Sequence, residues 1–321
     1  MSDDYKPTVI GISGMKGAGK DTAANFILGL YMIYLNIVRK EQKDNNEVGG
    51  FSITDEGKLY ITNLFGDTEY AGIFDYERQS EYLDDFKREH LDKYIRIYSF
   101  ADMLKKNVCM DLLGLSYEQC YGTNEQKNTL TELKWENMPG VVNCSSDVRL
   151  SNGDKLDLTN LTYIEASTID NHKEHNTATY KTSLYYHRPG YMTAREVLQY
   201  VGTELFRKMN PEIWASATIR KIQKDKPIVA VIKDIRFPNE VDAIHELNGI
   251  VLRLNRSPYK NEDSHSSENL LSEENYDWNN FDLIINNQDI SIKDQNTLIY
   301  VGLSKFGAVP DVLEIEGVGD A

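Results

Sequence analysis

The chain has 321 residues, 40% of them hydrophobic, with a net charge of −15 and a pI of about 4.9. This length predicts one large domain or two small ones around a buried core. The acidic balance argues against a binder of long nucleic acid, which needs a basic surface for the backbone phosphates. Three unevenly spaced cysteines indicate reduced thiols, and no signal segment or membrane-spanning stretch is recognisable, so we expect a soluble cytoplasmic protein.

The first half of the chain alternates apolar segments with long polar ones. Residues 8–13 read as a strand, a glycine-rich turn follows, and a helical pattern runs from Asp21 to about Val38. A second strand is predicted at 95–100, with a helix at 101–113. Two polar insertions, at about 40–93 and 114–190, separate these elements. The predicted elements inside them are a hairpin around 51–64, a helix after it, and strands at 155–161 and 180–186.

The second half repeats the alternation of strands and helices more regularly. Thr193 to Glu196 fits a capping box, so a helix should begin at Thr193. Further helices are predicted at 211–225, 239–248 and near the C-terminus, and further strands at 227–234, 250–254 and 281–285. This order predicts an α/β fold with a parallel sheet covered by helices on both faces. We expect one domain over residues 1–321, with a loose tail after about 307, and ligands at the carboxyl edge of the sheet.

The turn after the first strand carries the most informative motif. It meets the pattern G-x-x-x-x-G-K at Gly14, Gly19 and Lys20. Glycines let backbone N–H groups converge on phosphate oxygens, and the N-terminus of the following helix adds positive potential. The motif predicts a site for a nucleoside triphosphate. Its candidate contact residues are Gly14, Lys16, Gly17, Ala18, Gly19, Lys20, Asp21 and Thr22.

The position after Lys20 departs from the usual motif. Asp21 stands where Ser or Thr is normal, and Thr22 follows it. We expect Asp21 to bind magnesium directly or through water, Lys20 to bridge the β- and γ-phosphates, and Thr22 to contact the α-phosphate.

Three more segments accompany this loop: Ser99–Lys105, Arg195–Glu204 with Trp214 downstream, and Asp234–Glu240. Together with the Gly-Lys-Asp-Thr loop, they resemble the bacteriophage deoxynucleoside monophosphate kinases. The resemblance covers about residues 8–38, 95–115, 190–257 and 262–287, and neither polar insertion is part of it. It implies a P-loop kinase fold, ATP and Mg²⁺ as cofactors, and phosphorylation of a dNMP to a dNDP for phage DNA synthesis.

The Arg195 helix carries the candidate acceptor site. Arg195, Gln199 and Thr203 are spaced by four residues and should share one helix face. Arg195 is expected to clamp the monophosphate bidentately, with a surface ion pair as the alternative. Gln199 would read a base edge or simply face solvent. Gly202 would allow close approach of the substrate.

The remaining candidates surround the third segment. Asp234 is expected to hold the magnesium shell or orient the acceptor, or else to cap the next helix, and Arg236 to neutralise the transferring phosphoryl group. We list Lys20, Asp234 and Arg236 as catalytic. Glu240 would orient Arg236 or form a plain ion pair, Trp214 would stack on a base or lie in the core, and Lys105 would meet a phosphate. A segment at His265–Glu268 also matches the family, without a clear role.

Three alternatives stay open from the residues alone. One is another P-loop small-molecule kinase, of the dephospho-coenzyme A or phosphomevalonate type. Another is a nucleotide-dependent regulatory ATPase, and the third a binding module without catalysis. For the kinase we expect the 114–190 insertion to act as a lid or monophosphate-binding region. We also expect small nucleotides as partners, with neither long nucleic acid nor membrane, and the host cytoplasm as location if the protein is phage-encoded. The oligomeric state stays open between a monomer and a homodimer.

Overall fold

A computed structural model describes residues 5–35, 37, 50–62, 72–76, 81–144, 158–159, 162–167, 181–256 and 269–311. The chain divides into two compact units. The first comprises Met1–Asp102 with Glu212–Ala321, and the second Met103–Pro211. The candidate segment at 265–268 and the last ten residues of the predicted tail lie outside the described residues.

The described strands are, in chain order, β1 Thr8–Gly14, β2 Gly50–Ile53, β3 Leu59–Thr62, β4 Gly72–Phe74, β5 Ile95–Ser99, β6 Leu130–Lys134, β7 Val141–Asn143, β8 Thr162–Ser167, β9 Lys181–His187, β10 Tyr191–Thr193, β11 Val229–Ile235, β12 Ile250–Leu254 and β13 Leu283–Ile285. The α-helices are α1 Lys20–Tyr34, α2 Glu81–Phe86, α3 Tyr117–Tyr121, α4 Asn124–Lys127, α5 Ala194–Gln199, α6 Ile213–Asp225, α7 Pro238–His245 and α8 Ile292–Lys305. Segments Lys87–Leu91, Met103–Leu112 and Tyr200–Arg207 are π-helical, and Trp135–Asn137 and Trp278–Asn280 are short 3₁₀ turns.

The first unit is built on a parallel sheet with strand order β13-β12-β1-β11-β5. Its central strand packs differently on its two faces. Ile10 and Ile12 belong to the buried cluster that includes much of α1 and α8. A Cβ at Gly11 would instead lie 2.6 Å from the Ile244 side chain of α7. Helices therefore cover both faces, which explains the continuous apolar strands and confirms the predicted α/β fold.

The first polar insertion contributes a separate antiparallel sheet, β2-β3-β4. The predicted hairpin is confirmed, and β4 extends it. Phe51 packs edge-on against Phe26 of α1, with ring centroids 5.8 Å apart. The insertion therefore packs against α1, the helix that follows the phosphate loop.

The second unit has two small sheets, β10-β6 and β7-β9-β8. Trp135 is buried there and stacks on His187, with ring centroids 4.2 Å apart. The strand expected at 155–161 is absent from its described part, Leu158 and Thr159, and the chain forms β8 at Thr162–Ser167 instead. Among the described helices, none is long and apolar enough to cross a lipid bilayer.

Candidate active site

The phosphate loop connects β1 to α1 in a compact turn. Gly17 and Gly19 have φ values of 76° and 96°, a conformation that L side chains rarely adopt. Lys20 begins α1, and its ammonium donates hydrogen bonds to the carbonyl oxygens of Gly14 at 2.8 Å and Met15 at 3.0 Å. The lysine is therefore folded back over its own loop, where phosphates of a nucleotide would lie.

Two residues from the C-terminal part of the chain brace this loop. The buried amide of Asn287 donates to the carbonyl oxygen of Ala18 at 2.7 Å and to Oε1 of Gln295 at 2.6 Å. Gln295 in turn lies against Gly19, where an added Cβ would be 3.0 Å from Oε1. The sequence predicts neither contact: Asn287 follows the last strand, where a turn or an adenine contact is expected, and Gln295 lies within α8.

Asp234 occupies a β-bulge in β11. The register with β1 pairs Ile12 with Lys233 and then Ser13 with Ile235, so Asp234 is passed over. Its φ of 64° is unusual for a non-glycine residue. The bulge brings its Oδ1 to 3.3 Å from the Lys20 ammonium.

Arg236 completes this charged group. Its Nε and Nη2 donate to Oδ2 of Asp234, at 3.1 and 2.9 Å. Lys20, Asp234 and Arg236, the three expected catalytic residues, thus lie together at the carboxyl edge of the sheet. The Asp234 carboxylate contacts both cations, Lys20 and Arg236.

The structure favours structural roles for Glu240 and Trp214. The carboxylate of Glu240 is buried and accepts hydrogen bonds from the backbone N–H groups of Arg236 at 2.9 Å and Phe237 at 3.2 Å. It therefore caps α7 and fixes the turn that bears Arg236, instead of facing a substrate. Trp214 is buried in α6, as the core alternative requires.

Asp21 is largely exposed, and its Oδ1 lies 2.6 Å from the ammonium of Lys233. Lys233 was not among the sequence candidates, although its place before Asp234 at a strand end was a usable signal. The described residues contain no group of three or more metal-ligating side chains. Magnesium in kinases is usually held by one or two carboxylates plus substrate phosphates. An exposed carboxylate at the loop fits that mode of binding.

A cleft of about 660 Å³ opens beside the phosphate loop. One wall consists of loop and α1 residues, including Lys20, Thr22 and Asn25, and the other comes from the insertion. Its insertion residues are Glu56, Gly57, Lys58, Ile73, Phe74 and Asp75. The Asn25 amide reaches the Gly57 carbonyl oxygen at 3.4 Å. No motif marked these insertion residues, because their proximity to the loop arises only in the fold.

In the second unit, Arg195 is held by two neutral amides. Its Nε donates to Oδ1 of Asn128 at 2.9 Å, and its Nη2 to Oδ1 of Asn124 at 3.0 Å. Within the described residues it forms no ion pair, contrary to the surface ion-pair alternative. The guanidinium is oriented but keeps its full charge, as an anion-binding arginine requires.

The residues beyond Arg195 correct two expectations. The helix changes to π-helical hydrogen bonding at Tyr200, so the α-helical spacing that aligned Thr203 with Arg195 and Gln199 does not hold. Gly202 is buried, and a Cβ there would collide with Leu104, so its small size serves helix packing and not substrate approach. Gln199 and Thr203 remain half-buried.

Lys105 lies in the same unit, on the π-helical segment Met103–Leu112. Its ammonium is 4.5 Å from the centroid of the Tyr121 ring. This cation–π contact orients the side chain without neutralising it.

A parallel sheet with a lysine-bearing glycine loop at its carboxyl edge, faced by an aspartate and an arginine, defines an α/β protein of the P-loop kinase fold. The sequence model of the deoxynucleotide monophosphate kinase family matches residues 87–296. The chain belongs to this family. It is therefore an enzyme, a kinase that phosphorylates deoxynucleotide monophosphates, which decides against the alternatives left open above.

Two curated relatives agree with the family. One is a protein of Acanthamoeba polyphaga mimivirus that is 29% identical over 205 residues. It is provisionally named deoxynucleotide monophosphate kinase. That match covers 60% of this chain and 75% of the relative. The deoxynucleoside-5'-monophosphate kinase of Escherichia phage T5 is 48% identical over 59 residues, 18% of this chain and 24% of the relative.

Proposed function

We propose that this enzyme transfers the γ-phosphate of ATP to a deoxynucleoside 5'-monophosphate, with Mg²⁺ as cofactor, and so supplies dNDP for DNA synthesis. In this proposal residues 1–321 act as one kinase domain, and the second unit is an insertion in it. The observation that carries the proposal is the group of Lys20, Asp234 and Arg236 at the phosphate loop.

The donor triphosphate binds at the loop formed by residues 14–22. Backbone N–H groups of Lys16, Gly17 and Gly19 face its oxygens, while that of Ala18 donates to the Met15 carbonyl oxygen at 3.1 Å and holds the loop in shape. Lys20 moves from its carbonyl partners to the β- and γ-phosphates. Thr22 contacts the α-phosphate. The adjacent cleft, with Asn25 and the insertion turn around Gly57, has room for a nucleoside.

Transfer is a single displacement at phosphorus. An oxygen of the acceptor monophosphate forms a bond to the γ-phosphorus as the bond to the β,γ-bridging oxygen breaks, and ADP leaves with that oxygen. Lys20 and Arg236 neutralise the charge that develops on the phosphoryl group. Asp234 holds both cations in place through its bulge, so it acts as a positioning group.

Asp21 would hold Mg²⁺ together with phosphate oxygens and water. The ion, when bound, neutralises phosphate charge. In the ligand-free protein the Lys233 ammonium balances the same carboxylate. Lys233 must therefore turn to a phosphate or to solvent when the metal binds.

The second unit supplies residues for the acceptor. Arg195, oriented by two asparagine amides, clamps the monophosphate. Gln199 reads the base, and Lys105 adds positive charge. The segment between 114 and 190 acts as the lid that excludes water, since ATP would otherwise be hydrolysed.

A coupled assay of ADP release tests the proposal against a panel of deoxy- and ribonucleoside monophosphates. We expect at least one dNMP to raise the rate far above that with ATP alone. K20M, purified in parallel, should show no stimulated rate, which excludes a contaminating kinase. If no monophosphate raises ADP release, the proposal is wrong.

The partners in this proposal are small nucleotides, without long nucleic acid or membrane. A cytoplasmic location and a homodimer stay predictions. Light scattering of the purified protein gives the mass that decides between monomer and dimer.

A further inference from the structure

Arg253 is a buried cation directly behind the phosphate loop. It lies on β12 opposite Ser13, the residue that precedes Gly14. Arg253 is only 3% exposed to solvent. Taking a charge out of water is costly, so a buried guanidinium normally has a carboxylate partner.

The described residues provide no carboxylate for Arg253. Its Nη1 donates to the hydroxyl oxygen of Ser13 at 2.9 Å, and its Nε has no hydrogen-bond acceptor among them. The guanidinium lies 5.1 Å from the Trp278 ring centroid and 5.6 Å from that of Phe281. These contacts accept a cation but leave it un-neutralised. Burial lowers the pKa of Arg253 to about 10, so it is still protonated at neutral pH.

Arg253 also lines a small pocket together with Gly14, Lys16, Lys20 and Arg236. The pocket measures about 10 Å³, the space of one water-sized group such as a phosphate oxygen. Four cationic side chains border it, and Asp234 contacts two of them, Lys20 and Arg236. The pocket is thus built for an anion.

The Ser13 hydroxyl links Arg253 to the catalytic turn. It accepts from Arg253 and donates to the carbonyl oxygen of Ile235 at 3.2 Å, between Asp234 and Arg236 in sequence. Both strands that flank β1 are thereby connected at the loop. The guanidinium is fixed in place before any ligand arrives, which avoids an ordering penalty on binding.

We propose that Arg253 is a phosphate-binding residue of the donor site, and that a terminal phosphate oxygen of the nucleotide occupies the pocket it lines. This inference rests on the proposed use of the loop for a triphosphate. The bound phosphate supplies a negative charge that no described residue gives the buried guanidinium. In this low-dielectric position the attraction is stronger than at a surface lysine.

Isothermal titration calorimetry with ATP, ADP and inorganic tripolyphosphate tests the inference without any acceptor. R253M should bind ATP and tripolyphosphate at least about tenfold more weakly, since a charge-assisted hydrogen bond is lost. R253K keeps the charge and should recover part of the affinity. The melting temperature of R253M should not fall, because methionine fills the site without a charge to bury.

S13A is the matched control. It removes the hydrogen bond to Arg253 but keeps the cation, so ATP affinity should stay within about threefold of the wild type. If R253M binds ATP and tripolyphosphate as tightly as the wild type, the inference is wrong. It is also wrong if S13A loses as much ATP affinity as R253M, since Arg253 would then only brace Ser13. A wild type that binds neither probe also overturns it. If R253M loses affinity while no dNMP stimulates ADP release, the proposed function fails and the inference stands.

Discussion

The ammonium of Lys233 lies 2.6 Å from Oδ1 of Asp21, across 212 residues of sequence. Lys233 is 12% exposed and Asp21 78% exposed, so a shielded cation holds a carboxylate that otherwise faces solvent. Under our proposal that Asp21 holds magnesium, Lys233 would compete with the ion for this carboxylate.

K233M should therefore lower the Mg²⁺ concentration that gives half-maximal activity by about threefold, the scale of one exposed ion pair. K233R keeps the pair and should behave as the wild type. In a D21S background, where the usual loop hydroxyl is restored, K233M should change the magnesium dependence no further. Equal shifts in both backgrounds would mean that Lys233 acts on the nucleotide and not through Asp21.

D234N tests the charge of Asp234 without disturbing its backbone. Asparagine tolerates the φ of 64°, so the bulge and the melting temperature should be retained. The variant leaves Lys20 and Arg236 without their shared carboxylate, and kcat should fall about 10²- to 10³-fold, as for loss of one preorganised charge contact. If folded D234N has the kcat of the wild type, the charge of Asp234 plays no part in catalysis.

R236A should abolish phosphoryl transfer, while ATP affinity should fall less than in R253M, although Arg236 also borders the pocket that Arg253 lines. The guanidinium of Arg236 and the ammonium of Lys20 both contact the Asp234 carboxylate. We place the phosphoryl group in transfer beside these two cations. R236K retains a charge but not the two-donor contact, and should recover only a small part of kcat. Calorimetry with ATP separates the two effects: a loss of ATP affinity as large as that in R253M would make donor binding the main role of Arg236.

N128D tests whether the un-neutralised charge of Arg195 matters. An aspartate would pair with the Nε that Asn128 now binds at 2.9 Å, and so weaken the attraction for a monophosphate. The KM for the dNMP should rise about tenfold with little change in that for ATP. N128S, which introduces no charge, is the matched control. A KM for the dNMP that is the same in N128D and wild type would argue against the clamp.

G57A tests the contact between the insertion and the phosphate loop. Gly57 has a φ of 77°, and a Cβ there would collide with the hydroxyl of Thr22. G307A has a similar φ of 64° but open space around it. Both should lose about 1 kcal/mol of stability, and only G57A should weaken nucleotide binding. If G57A and G307A bind the nucleotide equally well, the insertion does not contribute to the nucleotide site.

Several features of this protein follow from the sequence because local patterns determine them. Apolar runs between helical patterns require a buried parallel sheet, and the spacing of Gly14, Gly19 and Lys20 places a phosphate loop at its edge. The capping box at Thr193 is confirmed for the same reason, since its hydrogen bonds join residues three apart. Boundaries were less accurate: α1 ends at Tyr34, not near Val38.

Other features arise only when distant segments meet. The bulge at Asp234 depends on its register with β1, and the packing of Gly202 on Leu104 joins two helices. The lysine that balances Asp21, the insertion turn beside Thr22 and the buried Arg253 behind the loop are likewise contacts across the chain. Periodicity and motifs describe neighbours in sequence. The charge balance and access of the phosphate site depend on neighbours in space, and so the tertiary structure decided them.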